Sequence, residues 1–328
     1  LPIKVIINSL IYFLLKLLYN ILYKKSRGHS MNGFNSNLLD GKTKLHFVGI
    51  GGSGMFPLVQ ILHAVGYEIT GSDVGEGDIA EREKAMGIPV YHGHRAENVH
   101  GAQLVVYTAA ILKGNPEVEE AQRLGIPTVE RSVLLGYVAN TYPCPICISG
   151  THGKTTTTAM TVQIMVMAGL DPAAVIGGKL PLIDGYGRYG AGRNIVVEAC
   201  EYHNTFLQLV PHTSVVLNID ADHLEFFKTM DNLKAAFRKF ALLTEHRVIA
   251  NIDDANTLAA VDDIDRDVRI RDHIRSLLLA QLSPRMEDVL RADDPHAAVA
   301  RFCHDAFVNI AANQRWERFD WLTRPLLV

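Results

Sequence analysis

Cysteine is scarce. Four cysteines in 328 residues cannot supply the disulfide framework of a small secreted scaffold. Cys144 and Cys147 form a lone C-x-x-C inside an apolar run, and no second pair completes a zinc site, so both read as reduced core residues. Charge is thin as well. Charged residues make up 20% of the chain and the formal net charge is -3, which leaves no basic field and excludes nucleic acid as a partner. Hydrophobic residues reach 48%, enough for sizeable cores, and the length predicts about two domains.

What the chain does have is glycine in two ordered turns. Pro145–Ser149 reads as an apolar strand, Gly150-Thr151-His152-Gly153-Lys154-Thr155-Thr156 as a turn, and the residues up to Gly169 as a helix. Backbone N–H groups and a positive helix end suit an anion, Lys154 adds a mobile charge, and the Thr155 hydroxyl is placed for magnesium. The pattern predicts a nucleoside triphosphate site, although Ile148 stands where the first glycine of the full phosphate-loop signature would be. About a hundred residues earlier, Lys44–Val48 reads as a strand, Gly49-Ile50-Gly51-Gly52-Ser53-Gly54 as a turn, and Met55–Val65 as a helix. A second strand, Tyr67–Thr70, leads to Asp73, about 20 residues beyond the glycines, where a dinucleotide-type fold holds a ribose hydroxyl. Two cradles argue for an enzyme handling two phosphorylated ligands. An NAD oxidoreductase would leave Gly150–Thr156 without a task.

The ordered set His46–Met55, Gly71-Ser72-Asp73, Gly93-His94, Gly150–Thr156, Glu198-Ala-Cys-Glu-Tyr-His203 and Asn218-Ile-Asp-Ala-Asp-His223 resembles the Mur ligase family of peptidoglycan synthesis, over roughly residues 42 to 253. The resemblance implies an α/β fold, with a Rossmann-like N-terminal domain followed by a P-loop-type parallel-sheet ATPase domain that is incomplete. It implies a cytoplasmic ligase using ATP and Mg2+. Within the family the residues look most like the members that join L-alanine to UDP-N-acetylmuramate through an acyl phosphate. The ligase that attaches a recycled peptide to the same sugar nucleotide, and a non-catalytic nucleotide or UDP-sugar binding module, remain as alternatives.

Residue by residue, the resemblance implies that Gly150, Thr151, His152, Gly153, Lys154, Thr155 and Thr156 bind ATP. Lys154, Glu198 and His223 are the catalytic candidates, and Thr155, Glu198 and His223 the magnesium ligands. Glu198 ends the predicted strand Asn194–Glu198 and His223 follows the predicted strand Ser214–Asn218, and strand carboxyl ends gather at one edge of a parallel sheet. An imidazole is the less expected partner, because a hard cation prefers oxygen. Asp220 and Asp222 read equally well as solvated turn residues. Gly51, Gly52, Ser53 and Gly54 are expected around the UDP pyrophosphate, and Asp73 near the uridine. His94 and Arg131 are expected to complete that pocket, with Glu201 and His203 facing the sugar carboxylate. The chain carries Thr108-Ala-Ala-Ile111 where relatives often have paired serines.

The reading divides the chain into residues 1–40 (apolar extension and linker), 41–140 (sugar-nucleotide domain), 141–253 (partial ATP domain) and 254–328 (unmatched helical or disordered tail). Val5–Tyr23 is almost wholly apolar, broken by Asn8, Lys16 and Asn20 and followed by Lys24, Lys25 and Arg27. It just reaches a bilayer span, so a membrane partner enters only if this segment belongs to the natural protein. The expectation is that residues 1–30 are upstream sequence ahead of a start at Met31. The tail, with helical spacing at Ile274, Leu277, Leu278 and Leu282, is expected to derive from a frameshift or fusion and to leave turnover weak or absent.

Overall fold

A computed structural model describes residues 37–270 apart from 76, 112–113 and 265–266. The apolar segment Val5–Tyr23, the expected start at Met31 and the helical spacing after Ile274 lie outside the described residues. Among the described residues no helix is long and apolar enough to cross a membrane.

The chain opens with β1 (Lys44–Val48), α1 (Phe56–Ala64), β2 (Glu68–Asp73), α2 (Asp78–Ala85), β3 (Val90–His92), β4 (Leu104–Tyr107), α3 (Pro116–Arg123), β5 (Thr128–Glu130) and α4 (Arg131–Asn140). The five strands form one sheet in the order β3-β2-β1-β4-β5, and every neighbouring pair is parallel. Four of the five residues of β1 are buried, as a strand covered on both faces requires. Strand order reverses between β1 and β4, and in such sheets the ligand crevice lies outside the carboxyl ends at that point. The turn after β1 is the Gly49–Gly54 loop.

Further along come β6 (Cys144–Ser149), α5 (Lys154–Met167), β7 (Ala173–Leu180), β8 (Gly185–Arg188), β9 (Asn194–Glu198), β10 (Thr213–Val216), α6 (Leu224–Phe227), α7 (Met230–Leu242), β11 (Arg247–Asn251), α8 (Ala255–Val261) and β12 (Asp267–Ile270). The chain forms two compact units, both discontinuous in sequence. Among the described residues, the N-terminal unit joins residues 37–147 with Asp171–His212, and the second unit joins Ile148–Leu170 with residues 213–270. Strand β6 therefore begins in one unit and ends in the other.

Within the N-terminal unit β7 runs parallel to β9 and antiparallel to β8. Strand β8 lies against α1. Gly187 N–H donates to Gln60 Oε1 at 3.0 Å, and a Cβ on Gly187 would stand 2.6 Å from Pro57 Cα, so only glycine permits this approach. Phe47, Phe56 and Phe206 fill the core of this unit. In the second unit β10, β11 and β12 are parallel neighbours, and Phe237 and Phe240 of α7 are fully buried. Cys147 is buried and Cys144 half-buried, neither forms a disulfide among the described residues, and burial pushes both thiols up, which suits inert core residues.

Candidate functional site

In the second unit β6 delivers the chain into a turn that only glycine can make. Gly150 has φ +138° and Gly153, immediately before α5, has φ +84°. A Cβ on Gly150 would come 2.9 Å from Leu217 Cβ and 3.1 Å from Asn218 N. Helix α5 then runs 14 residues from Lys154, so its positive end and its first N–H groups stand at the turn. Lys154 Nζ donates to Gly150 O at 2.7 Å and to Thr151 O at 3.2 Å, folding the side chain back over the loop. Thr155 is half-buried, and Thr156 and His152 are exposed. This arrangement of backbone donors, a lysine and a hydroxyl fits a triphosphate.

The loop is held from one side by the segment after β10. Asn218 Oδ1 accepts His152 N–H at 2.8 Å while Asn218 Nδ2 donates to His152 O at 3.0 Å. Thr151 N–H donates to Asn218 O at 3.0 Å, and Thr151 Oγ1 accepts Asp220 N–H at 2.9 Å. Asp254, the cap of α8, accepts Ile219 N–H at 3.2 Å and Thr257 N–H at 2.7 Å, which fixes the clamp in turn. Replacing Asn218 by Ala removes both side-chain bonds to the loop and adds no clash. The expected result is roughly tenfold weaker binding of a non-hydrolysable ATP analogue by calorimetry. Unchanged affinity would mean the loop holds its shape without the clamp.

His223 lies farther along that turn, with φ +53°. Its Nδ1 is 3.4 Å from Glu225 Oε1 and its Nε2 is 3.8 Å from Asp222 Oδ2, so both ring nitrogens face carboxylates of the same turn. Among the described residues no three His, Cys, Asp or Glu side chains gather closely enough to hold a metal ion. The oxygen donors of Thr155 and Glu198 suit magnesium better than the His223 ring does.

In the N-terminal unit the Gly49–Gly54 loop is tied to β2. Ser72 O accepts Gly49 N–H at 2.8 Å and Ile50 N–H at 3.1 Å. Asp73 Oδ2 accepts Gly51 N–H at 2.8 Å and Oδ1 accepts Gly75 N–H at 2.8 Å, so the acidic residue braces the glycine turn itself. Thr108 packs on the loop, where a Cβ on Gly49 would stand 2.8 Å from its Cγ2. Gly52 and Ser53 are exposed, and Gly51 and Gly54 half-buried. His94 is anchored through Nδ1, 2.8 Å from Glu117 Oε2 and 3.0 Å from Ser72 Oγ.

The same unit contains a cavity of about 120 Å³ lined by Gly54, Arg131, Gly177, Glu198 and Phe206, among others. The Arg131 guanidinium lies over Gly54, with Cζ 3.5 Å from where a Cβ would be. Glu198 Oε2 accepts Gly177 N–H at 2.6 Å, and a Cβ on Gly177 would come 2.7 Å from each carboxylate oxygen. Gly177 therefore leaves the room that Glu198 occupies. Glu201 is buried, while His203 is exposed and edge-on to Tyr202 at 4.2 Å. His203 and Asn204 both adopt positive φ, 53° and 59°, beside the cavity residues Cys200 and Thr205, a concentration of strain of the kind found at ligand sites.

Asn218, Gly177 and Glu117 are the structural partners that sequence reasoning did not assign. Asn218 stands in a motif with a strand signal before it, which could have flagged it. Gly177 and Glu117 carry no local signal, because their partners lie 21 and 45 positions away.

The description "Mur ligase family, catalytic domain" matches residues 44–143, and "Mur ligase middle domain" matches 148–269. UDP-N-acetylmuramate--L-alanine ligase of Acetivibrio thermocellus is 46% identical over 222 residues, covering 67% of this chain and 47% of that protein. The like-named protein of Caldanaerobacter subterraneus subsp. tengcongensis is 43% identical over 227 residues, 69% of this chain and 49% of that protein. Among solved structures, UDP-N-acetylmuramate-alanine ligase from Thermotoga maritima superposes with a TM-score of 0.62 at 29% identity, covering 70% of this chain and 53% of that one. A UDP-N-acetylmuramate:L-alanyl-gamma-D-glutamyl-meso-diaminopimelate ligase from Neisseria meningitides gives 0.65 at 25% identity, covering 70% of this chain and 77% of that one. The chain spans about half the length of the curated relatives it matches.

Proposed function

The chain belongs to the Mur ligase family, and we propose that it serves ATP-dependent joining of L-alanine to the lactyl carboxylate of UDP-N-acetylmuramate, by way of an acyl phosphate. The observation that carries the reading is that each of two glycine loops is braced by a following strand end. Asp73 and Ser72 hold Gly49–Gly51, and Asn218 holds Thr151 and His152. A carboxylate is a poor electrophile at neutral pH, so activation has to precede amide formation. Phosphoryl transfer asks the protein for positioning and charge neutralisation rather than covalent work.

In this reading Gly150–Thr156 cradle the phosphates, and Lys154 swings from its backbone acceptors to neutralise the outer ones. Thr155 and Glu198 offer oxygens to magnesium, with His223 the third group implied by the family. The metal supplies charge neutralisation when bound. Gly51–Gly54 hold the sugar diphosphate with Arg131 beside them, His94 and Asp73 lie toward the nucleoside, and Glu201 and His203 lie toward the acid-bearing end. The relatives' names favour L-alanine over a recycled peptide.

Calorimetry on the full chain tests the reading. UDP-N-acetylmuramate and a non-hydrolysable ATP analogue are expected to bind independently, and NADH not at all. Tight NADH binding without either of the others would replace the ligase reading by an oxidoreductase one. Phosphate release dependent on L-alanine reports ligation itself. Its absence with both ligands bound would favour a binding module.

A further inference from the structure

Glu117 is completely buried near the start of α3, and side chains from four other segments converge on its carboxylate. Asn115 Oδ1 caps the helix by accepting Glu117 N–H at 3.0 Å, which fixes where the side chain starts. Oε2 accepts the Ser72 hydroxyl at 2.6 Å and faces His94 Nδ1 at 2.8 Å. Oε1 accepts Asn98 Nδ2–H at 2.6 Å. His46 Nε2 stands 3.5 Å from the same oxygen, at the limit of reach, while its Nδ1 is 2.8 Å from Thr70 Oγ1.

Proton bookkeeping in this cluster is constrained. An ionised carboxylate only accepts, and the single Ser72 hydroxyl hydrogen is spent on Oε2, so both neighbours of His94 Nδ1 are acceptors. Nδ1 must then carry hydrogen. In the neutral ring the lone pair is left on Nε2, which makes no hydrogen bond among the described residues. Ser72 is also the residue whose carbonyl holds Gly49 and Ile50, and Gly93 N–H donates to Asp73 O at 2.8 Å, so His94 and the glycine loop are fastened to the same strand end.

We propose that Glu117 is a positioning residue of the sugar-nucleotide pocket: it locks His94 in the Nδ1–H tautomer and presents Nε2 as an acceptor for a nucleoside donor, either the pyrimidine imide N–H or a ribose hydroxyl. The proposal rests on the reading of this unit as the UDP-sugar site. It adds that the pocket selects a donor on the ligand, through a buried acid that never touches it.

The test uses the full chain, wild type and Glu117→Gln, with UDP, 3-methyluridine diphosphate and 2′-deoxyuridine diphosphate in calorimetry, and nitrogen-15 chemical shifts of the histidine rings. Wild type should lose about tenfold to a hundredfold affinity for one of the two modified ligands, which identifies the donor. Glu117→Gln should bind UDP weaker by a similar factor, lose that discrimination, and shift the His94 ring from the Nδ1–H form. Binding of an ATP analogue should stay within about twofold. Equal UDP affinity in the two proteins, or weaker UDP binding with the His94 tautomer unchanged, would overturn the proposal. Should Glu117→Gln not fold, His94→Leu tests the same acceptor: it must abolish the discrimination between ligands, and retained discrimination overturns the idea. Wild type that binds no UDP at all would instead refute the UDP-sugar reading.

Discussion

Gly150→Ala is expected to abolish binding of an ATP analogue while leaving UDP binding in the N-terminal unit within about twofold. Two independent penalties coincide at this position. Its φ of +138° lies where L side chains rarely go, and the new Cβ would stand 2.9 Å from Leu217 Cβ, 3.1 Å from Asn218 N and 3.2 Å from Asn218 O. The last two are backbone atoms of the clamp that holds His152, so relief of the overlap undoes the loop. Strain and overlap together come to more than about 3 kcal/mol, which is over a hundredfold in affinity. Gly153→Ala separates the terms. At φ +84° it carries conformational strain, but its Cβ would meet only Leu217 Cδ1 at 3.5 Å, an ordinary contact. That variant should lose about tenfold. Calorimetry with both variants decides the matter, and Gly150→Ala binding as well as Gly153→Ala would show that the clamp does not wall the loop.

Most of what could be read from the sequence was local. Strands Lys44–Val48 and Asn194–Glu198 have the bounds that their apolar runs and flanking turn residues dictate. Both glycine loops follow strands and precede helices, because the sequence of strand, turn and helix is written within 20 or so neighbouring residues. The parts that could not be read depend on approach between distant segments. The spacing of Asp73 suggested a ribose contact, but that its carboxylate also takes Gly51 and Gly75 N–H is set by the register of β1 against β2 and is not written locally. Glu117 looks like any acidic residue in a first helical turn until Ser72, His94 and Asn98 are folded onto it. Asp171–His212 lies compactly with the N-terminal residues because Gly187 lets β8 rest on α1, and a single glycine in a short strand does not announce that.

Replacing Glu83 by Leu should stabilise the N-terminal unit by about 3 kcal/mol at neutral pH, raising its thermal transition by roughly 6 to 12 °C. Glu83 lies in α2, wholly buried, and neither carboxylate oxygen has a hydrogen-bond partner among the described residues. Burial, reinforced by the Asp73 carboxylate, pushes its pKa up to about 8. The folded form therefore binds a proton more readily than the unfolded chain does. Stability from this group is complete below about pH 4.5, the ordinary carboxyl range, and is lost as pH rises through about 8. Glu117 behaves oppositely. Burial would raise its carboxyl, but the neighbouring His46 ring and hydrogen bonds from Ser72 and Asn98 outweigh that and hold it at about 2. Its contribution is present above about pH 4.5 and is lost as pH falls through about 2. Two buried glutamates in one unit thus bound its stability from both sides, one because it lacks partners and the other because it has several. Urea unfolding of wild type and Glu83→Leu at pH 5 and pH 8.5 separates the limbs. The gain from leucine should be small at about pH 5 and exceed about 3 kcal/mol at about pH 8.5, and a further measurement near about pH 3 should show the acid limb set by Glu117 in both proteins. A gain of the same size at both pH values would mean that Glu83 does not titrate in the fold, and that leucine helps only by packing.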